Sequence, residues 1–249
     1  MLLCLMGSTL AKMKIVFIAL LPFCFFNCCQ SDQNKSASVL KPENKYIPVR
    51  SYGQIKDSIA INRKRLSLKY ASFTSLTTKE SIDEISDYWV NIVSNDLYSK
   101  WQNTPWDFNG TTVEPNQGAI ACGYFVTTIL RDMDLKISRN KLAICPSSIM
   151  MKSLTPHQKI KNLSHLSYPA FEETLSVFGK GVYIIGLDFH TGFIINDGSE
   201  NWFIHSNYIN RKGVMKERVS GSYALRSSKT RWIISLTNDK DFLYRWLKG

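Results

Sequence analysis

The sequence predicts an α+β fold in which helices come first and pack on an antiparallel β-meander that follows. Two patterns lead to this prediction. Apolar residues recur at helical spacing up to about residue 178, and short β-branched or aromatic runs separated by turn residues follow from residue 182. The chain has 249 residues, of which 44% are hydrophobic, so it is long enough for one domain with accessory segments and too apolar for a disordered protein.

Residues 1–29 resemble an export signal with a lipoprotein-like cysteine. Two lysines precede an apolar run over residues 15–26, which is too short to span a bilayer. Cys28 and Cys29 follow the run, and a cysteine at this point resembles the acylated residue of a bacterial lipoprotein. We prefer Cys28 as the lipidated residue, and Met13 is an alternative start of the chain. We therefore expect an exported protein of the cell envelope, in the periplasm or the outer membrane, held on a membrane by its lipid; plain secretion and a retained hydrophobic anchor are the alternatives.

The next two segments are predicted as a tether and a helical extension. Residues 30–53 are rich in Ser, Asn, Lys and Pro, a composition typical of a flexible tether. Residues 54–101 are predicted to be helical, with weak helical spacing over residues 55–70 and a stronger pattern over residues 77–93. Thr77 begins a capping-box pattern for the stronger helix. One face of this helix collects the apolar residues Ile82, Ile85, Trp89 and Val93.

Residues 102–249 contain the remaining predicted elements. A loop rich in Pro, Gly, Asn and Thr covers residues 104–117, and a helix is predicted over residues 121–133. Asp197 and Gly198 form a dipeptide that favours a tight hairpin turn. The other expected elements are helices over residues 146–154, 169–179 and 239–247 and strands over residues 182–187, 190–196, 202–207, 214–218 and 231–236.

The charge of the chain favours an anionic partner. The formal net charge is +11, which suits nucleic acid, acidic lipid or an acidic polymer such as cell wall. The basic residues are scattered, and residues 63–65 form their only tight cluster. This scatter and the export signal argue against a nucleic-acid partner.

Cys122 is the candidate nucleophile because it stands where a loop becomes a helix. Unpaired backbone N–H groups at a helix start stabilise a thiolate, which is the reactive form of cysteine. Gly118 and Gly123 are expected to leave room for a substrate. The alternative is a buried cysteine of the core. Cys145 is the other cysteine outside the signal region, and a Cys122–Cys145 disulfide would consume the nucleophile.

Two histidines are candidates for the base and for the residue that orients it. His190 begins one predicted strand and His205 ends the next, so the two side chains can meet across an antiparallel pair. His190 then takes the thiol proton, and His205 orients His190. A zinc site built from Cys122, His190 and His205 is the alternative. His157 and His165 lie in polar segments and are expected to be exposed.

Four motifs together resemble one enzyme family, the NlpC-type papain-like cysteine peptidases of bacterial cell walls. They are the Pro-Trp-Asp-Phe-Asn-Gly-Thr loop in residues 105–111, Cys122 at a helix start, His190-Thr191-Gly192-Phe193, and Phe203-Ile204-His205-Ser206. The resemblance implies a papain-like fold for residues 102–249, with Cys122 as nucleophile, His190 as base and His205 as third polar residue. It also implies hydrolysis of peptide or amide bonds, with peptidoglycan stem peptides as the substrate and no metal or other cofactor.

This sequence differs from the family pattern around the nucleophile. Ala121 replaces an aspartate, Gly123 and Tyr124 replace Ser-Gly, and Trp106 stands where the family has a tyrosine that helps to stabilise the oxyanion. Trp106, Gly123 and Tyr124 are therefore the expected substrate-binding and oxyanion residues. A catalytically inactive papain-like lipoprotein that binds cell wall or a protein partner is the alternative function.

Overall fold

Helices pack on both faces of a six-stranded antiparallel sheet, which confirms the predicted α+β class. The structure is a computed structural model that describes residues 50–72 and 74–249. The export signal, Cys28 and nearly all of the expected tether lie outside the described residues. In the described part of the chain, no helix combines the length and the apolar composition needed to cross a membrane.

The helices and strands have the following bounds. The helices are α1 (Tyr52–Lys69), α2 (Lys79–Asn91), α3 (Tyr98–Trp101), α4 (Cys122–Asp132), α5 (Arg139–Ala143), α6 (Ser147–Leu154), α7 (Tyr168–Val177), α8 (Tyr223–Ser227) and α9 (Lys240–Lys248). The strands are β1 (Lys161–Asn162), β2 (Gly181–Gly186), β3 (Thr191–Asn196), β4 (Asn201–Asn207), β5 (Gly213–Arg218) and β6 (Trp232–Ser235). The short elements α5, α8 and β1 were not expected from the sequence, because none is long enough to show a periodic pattern.

The strand order is β1-β6-β2-β3-β4-β5. Strands β2 to β5 form the expected meander, and Asp197 and Gly198 lie in the turn between β3 and β4. The last strand does not continue the meander: β6 returns to pair with β2, where Ile184 lies opposite Ile234. Strand β2 therefore has a hydrogen-bonded neighbour at each edge, and all six of its residues are buried.

Two helices begin at residues other than those that the sequence predicts. Ser51 caps α1 and forms a capping box with Gln54, so the helix begins inside the stretch expected as a tether. Thr78, not Thr77, caps α2, because its side chain accepts a hydrogen bond from the Ser81 N–H. After α2 the chain continues through a π-helical turn, Ile92–Leu97, into α3.

The sheet separates two apolar layers. Alternate strand residues face α1, α2, α4 and α9 on one side and α7 and α8 on the other. The first layer includes Val182, Ile184, Phe193, Ile195 and Ile204, and the second includes Tyr183, Ile185, Ile194 and Phe203. Helix α1 is held on the first layer by a buried polar contact: the Tyr52 hydroxyl donates to Asp132 of α4 and accepts a 2.7 Å hydrogen bond from Trp101 Nε1.

Candidate active site

The start of α4 is held against the sheet by hydrogen bonds just before Cys122. Ile120 N–H donates to the Pro105 carbonyl at 2.9 Å, and Ser206 Oγ of β4 donates to the Ile120 carbonyl at 2.6 Å. Gly110 allows the loop to approach this segment, since a Cβ there would lie 2.6 Å from Ile120 N. The loop motif and the β4 motif found in the sequence therefore both hold the position of Cys122.

The first turn of α4 offers free backbone donors, because Ala121 at the N-cap has no side chain that could bind them. The sulfur of Cys122 lies near the backbone N–H groups of Gly123 and of Thr191 in β3. Burial raises the pKa of the Cys122 thiol, and these donors lower it only in part, so the pKa stays above its ordinary value. The backbone donors at the helix start thus favour the thiolate, as the sequence predicts, but desolvation of the thiol outweighs them.

His190 and His205 form a close pair, as the sequence predicts. His190 Nε2 lies 2.7 Å from His205 Nδ1, and both side chains are buried. Gly192 makes this pairing possible, because a Cβ there would lie 2.8 Å from His205 Cβ and 2.6 Å from the ring of Phe203. Phe203 in turn stacks on His205 with ring centroids 4.0 Å apart, which fixes the plane of the imidazole.

Glu217 on β5 is a further member of the site, and sequence reasoning missed it. Its Oε1 lies 3.3 Å from His205 Nε2, at ion-pair distance but outside good hydrogen-bond geometry. Burial lowers the pKa of His205, and the Glu217 carboxylate opposes this shift. Burial raises the pKa of Glu217, but His205 and Ser222 lower it by more than burial raises it. The pKa therefore lies below its ordinary value, and the side chain is a carboxylate at neutral pH. Only the register of β4 with β5, which pairs Phe203 with Glu217, brings this residue to the histidines.

A carboxylate beside His205 Nε2 favours the tautomer that carries its proton on this nitrogen. In this tautomer His205 Nδ1 is the acceptor in the 2.7 Å contact, and His190 Nε2–H is the donor. His190 Nδ1 then keeps its lone pair. This atom is buried and has no hydrogen-bond partner among the described residues. Burial and the neighbouring His205 hold the pKa of His190 well below its ordinary value, so the ring is neutral at pH 7.

Cys122 and His190 line one cleft of about 950 Å³, and His205 lies behind His190. Trp106, Gly123 and Tyr124, the expected substrate-binding residues, line the same cleft. Gly123 is required for a different reason than expected. A Cβ at this position would lie 2.2 Å from the Ala143 carbonyl oxygen, so the glycine allows close packing of the backbone and does not serve to admit a substrate.

Cys145 also lines the cleft, but it is not bridged to Cys122, and both cysteines are free thiols. The Cys145 thiol donates to the Lys141 carbonyl at 3.0 Å. Among the described residues, no group of three His, Cys, Asp or Glu side chains is placed to hold a metal ion. The alternative of zinc on Cys122, His190 and His205 is therefore not supported by their arrangement. His157 and His165 are exposed, as expected.

Comparisons with family models, with curated proteins and with solved structures found no match for this chain. The resemblance to the NlpC-type peptidases therefore rests on the four motifs and stays a prediction.

Proposed function

We propose that the chain is a cysteine hydrolase of papain-like fold that cleaves peptide or amide bonds. One observation carries the proposal: a cysteine at a helix start and a neutral histidine with an unpartnered nitrogen line the same cleft, and that histidine is hydrogen-bonded to a second one. The order nucleophile, base and orienting residue along the chain agrees with the family that the motifs resemble.

In this mechanism Cys122 begins as a neutral thiol. His190 Nδ1 takes the thiol proton as the sulfur attacks the substrate carbonyl carbon, and the backbone N–H groups at the start of α4 stabilise the oxyanion. His190 then gives the proton to the leaving amine, the C–N bond breaks, and a thioester remains on Cys122. His190 then takes a proton from water, whose oxygen attacks the thioester carbon; the C–S bond breaks, the acid is released, and His190 returns the proton to the Cys122 sulfur. His205 and Glu217 stabilise the positive charge that His190 carries between these steps.

The proposed substrate is the stem peptide of peptidoglycan, reached by an exported, lipid-anchored protein of the cell envelope. This part of the proposal depends on the N-terminal signal and on the motif resemblance, and the net charge of +11 is compatible with an acidic wall polymer.

The test is hydrolysis of muropeptides by the full chain, followed by chromatography and mass spectrometry. We expect Cys122→Ala to abolish product formation. Cys145→Ser is the matched control, because it removes the other thiol of the same cleft and should leave turnover unchanged. Equal activity of wild type and Cys122→Ala would refute the nucleophile.

A second candidate is a papain-like protein that binds wall or a partner without catalysis. The raised pKa of Cys122 favours it, because little thiolate is present at neutral pH. In that case the wild type and Cys122→Ala bind isolated cell wall equally, and neither forms products from any peptide or amide substrate.

A further inference from the structure

Large apolar side chains stand exposed around the mouth of the cleft. Phe108 is 80% exposed, Ile144 is 74% exposed and Phe189 is 96% exposed, and all three line the cleft. They come from three separate segments: the loop between α3 and α4, the end of α5, and the turn between β2 and β3. Three segments distant in sequence thus expose apolar side chains around one opening, which is typical of an interaction site.

Cations flank this apolar mouth. Lys141, Arg211, Lys212 and Lys229 are exposed, and each lies within four residues along the sequence of a position that lines the cleft. Arg211 pairs with Asp107 at 2.5 Å, whereas the three lysines have no carboxylate within ion-pair distance among the described residues.

The cleft itself contains little charge. Asp188 is the only formally charged residue among the described residues that line it. Its carboxylate accepts hydrogen bonds from the backbone N–H groups of Lys229 and Thr230, both at 2.8 Å, so it is engaged with the protein. The walls of the cleft therefore offer few charged groups, whereas its mouth exposes apolar side chains.

We propose that the mouth of the cleft docks on an anionic membrane surface. Phe108, Ile144 and Phe189 insert at the level of the lipid headgroups, and Lys141, Lys212 and Lys229 lie over anionic headgroups. Exposed aromatic and aliphatic side chains flanked by lysines match the two attractions at such a surface, apolar burial and charge. Near-complete exposure of Phe189 favours a lipid over a substrate side chain, because a specificity pocket would recess the apolar contacts instead of projecting them.

This inference goes beyond the proposed function, since docking requires no hydrolysis. If both hold, the reactive bond is presented to Cys122 from the membrane side, so the substrate carries a lipid or is attached to one.

The test uses the full chain and compares two added tryptophans. Phe189→Trp places the fluorophore at the mouth, and Val177→Trp places it at the end of α7, where the native side chain is 79% exposed and does not line the cleft. Each variant is mixed with vesicles of brominated phosphatidylcholine and phosphatidylglycerol. The fluorescence of the parent chain is subtracted, so that the quenching of the introduced tryptophan alone is measured. Residues 15–26 are present in every variant, so their own membrane affinity does not distinguish them.

We expect the bromolipid to quench the tryptophan at position 189 and not the one at position 177, and removal of phosphatidylglycerol to weaken the quenching. Equal quenching at both positions, or no quenching at position 189, would overturn membrane docking. The absence of quenching at position 189 would favour a protein partner for the apolar mouth instead. Cys122→Ala introduced with Phe189→Trp should keep the quenching, so a failure of the hydrolase proposal does not affect this test.

A second pair of variants measures the contribution of the three side chains. Phe108→Ser, Ile144→Ser and Phe189→Ser together should lower the vesicle partition coefficient at least about tenfold, because each inserted side chain contributes apolar burial. The control combines Ile61→Ser, Leu68→Ser and Val177→Ser, which change three comparably exposed apolar residues away from the mouth. Equal loss in the two triple variants would contradict the assignment of the mouth.

Discussion

Glu217→Gln is the sharpest test of the site, because this residue touches neither the cleft nor the nucleophile. Glu217 Oε1 lies 3.3 Å from His205 Nε2, and the His205 and His190 ring centroids are 4.9 Å apart. The carboxylate is therefore roughly 8 Å from the His190 ring, which becomes an imidazolium in the proposed mechanism. Glutamine keeps the size of the side chain and removes its charge.

The magnitude follows from Coulomb's law. At an effective dielectric constant of about 20, two unit charges at this distance attract by about 2 kcal/mol. Loss of this attraction in the transition state slows acylation of Cys122 by about 30-fold. The carboxylate also stabilises the charged imidazole, so Glu217→Gln moves the acidic midpoint of the pH–rate profile to lower pH.

The assay is the release of p-nitrophenol from an activated ester, measured from pH 5 to pH 9 under single-turnover conditions. Glu200→Gln is the matched control: this carboxylate precedes β4 and pairs with Arg218 at 3.4 Å, and its loss should change the rate less than about twofold. Urea unfolding of both variants separates a loss of stability from a loss of rate. If Glu217→Gln reacts within twofold of the wild type with an unchanged pH profile, the positioning role of Glu217 is rejected.

Three further predictions concern Cys122, Gly123 and Asp239. Because burial raises the pKa of the Cys122 thiol above its ordinary value of 9.0, its labelling by iodoacetamide should be slow at pH 7 and accelerate only at alkaline pH; complete labelling at pH 7 in peptide-level mass spectrometry would contradict this. Gly123→Ala should lower the free energy of unfolding by about 1–3 kcal/mol in urea because its Cβ meets a backbone carbonyl, whereas Gly221→Ala, with open space around it, should be close to neutral, and equal effects would argue against the tight packing. The Asp239 carboxylate has a pKa below its ordinary value of 3.8, because Lys159 and other donors outweigh its burial; its stabilisation is therefore present above that pH and lost as the pH falls through the lower folded pKa. Asp239→Asn should cost about 1–3 kcal/mol at pH 7 and flatten the acidic limb of the stability curve, and an unchanged limb in urea unfolding would refute the reasoning.

Several expectations from the sequence agree with the structure for local reasons. The helix that starts at Cys122 and the turn at Asp197 and Gly198 depend on side-chain spacing and turn chemistry within a few residues. The contact between His190 and His205 could be predicted because both residues belong to one short hairpin, whose register is set by its turn.

Other features depend on contacts between distant residues. Glu217 reaches His205 through strand pairing, β6 pairs with β2 instead of continuing the meander, and Gly123 is required by a carbonyl twenty residues later in the chain. None of these contacts leaves a periodic pattern in the sequence, so reading along the chain could not find them.

The sequence alone predicted the cysteine and the histidine pair of the candidate site and the elements that hold them, because helix and turn signals lie within a few residues of one another. Only the tertiary structure decided how deeply Cys122 is buried, which carboxylate supports the histidines and which apolar residues surround the cleft. Burial and electrostatics sum over all neighbours in space, and most of those neighbours are far away in the sequence.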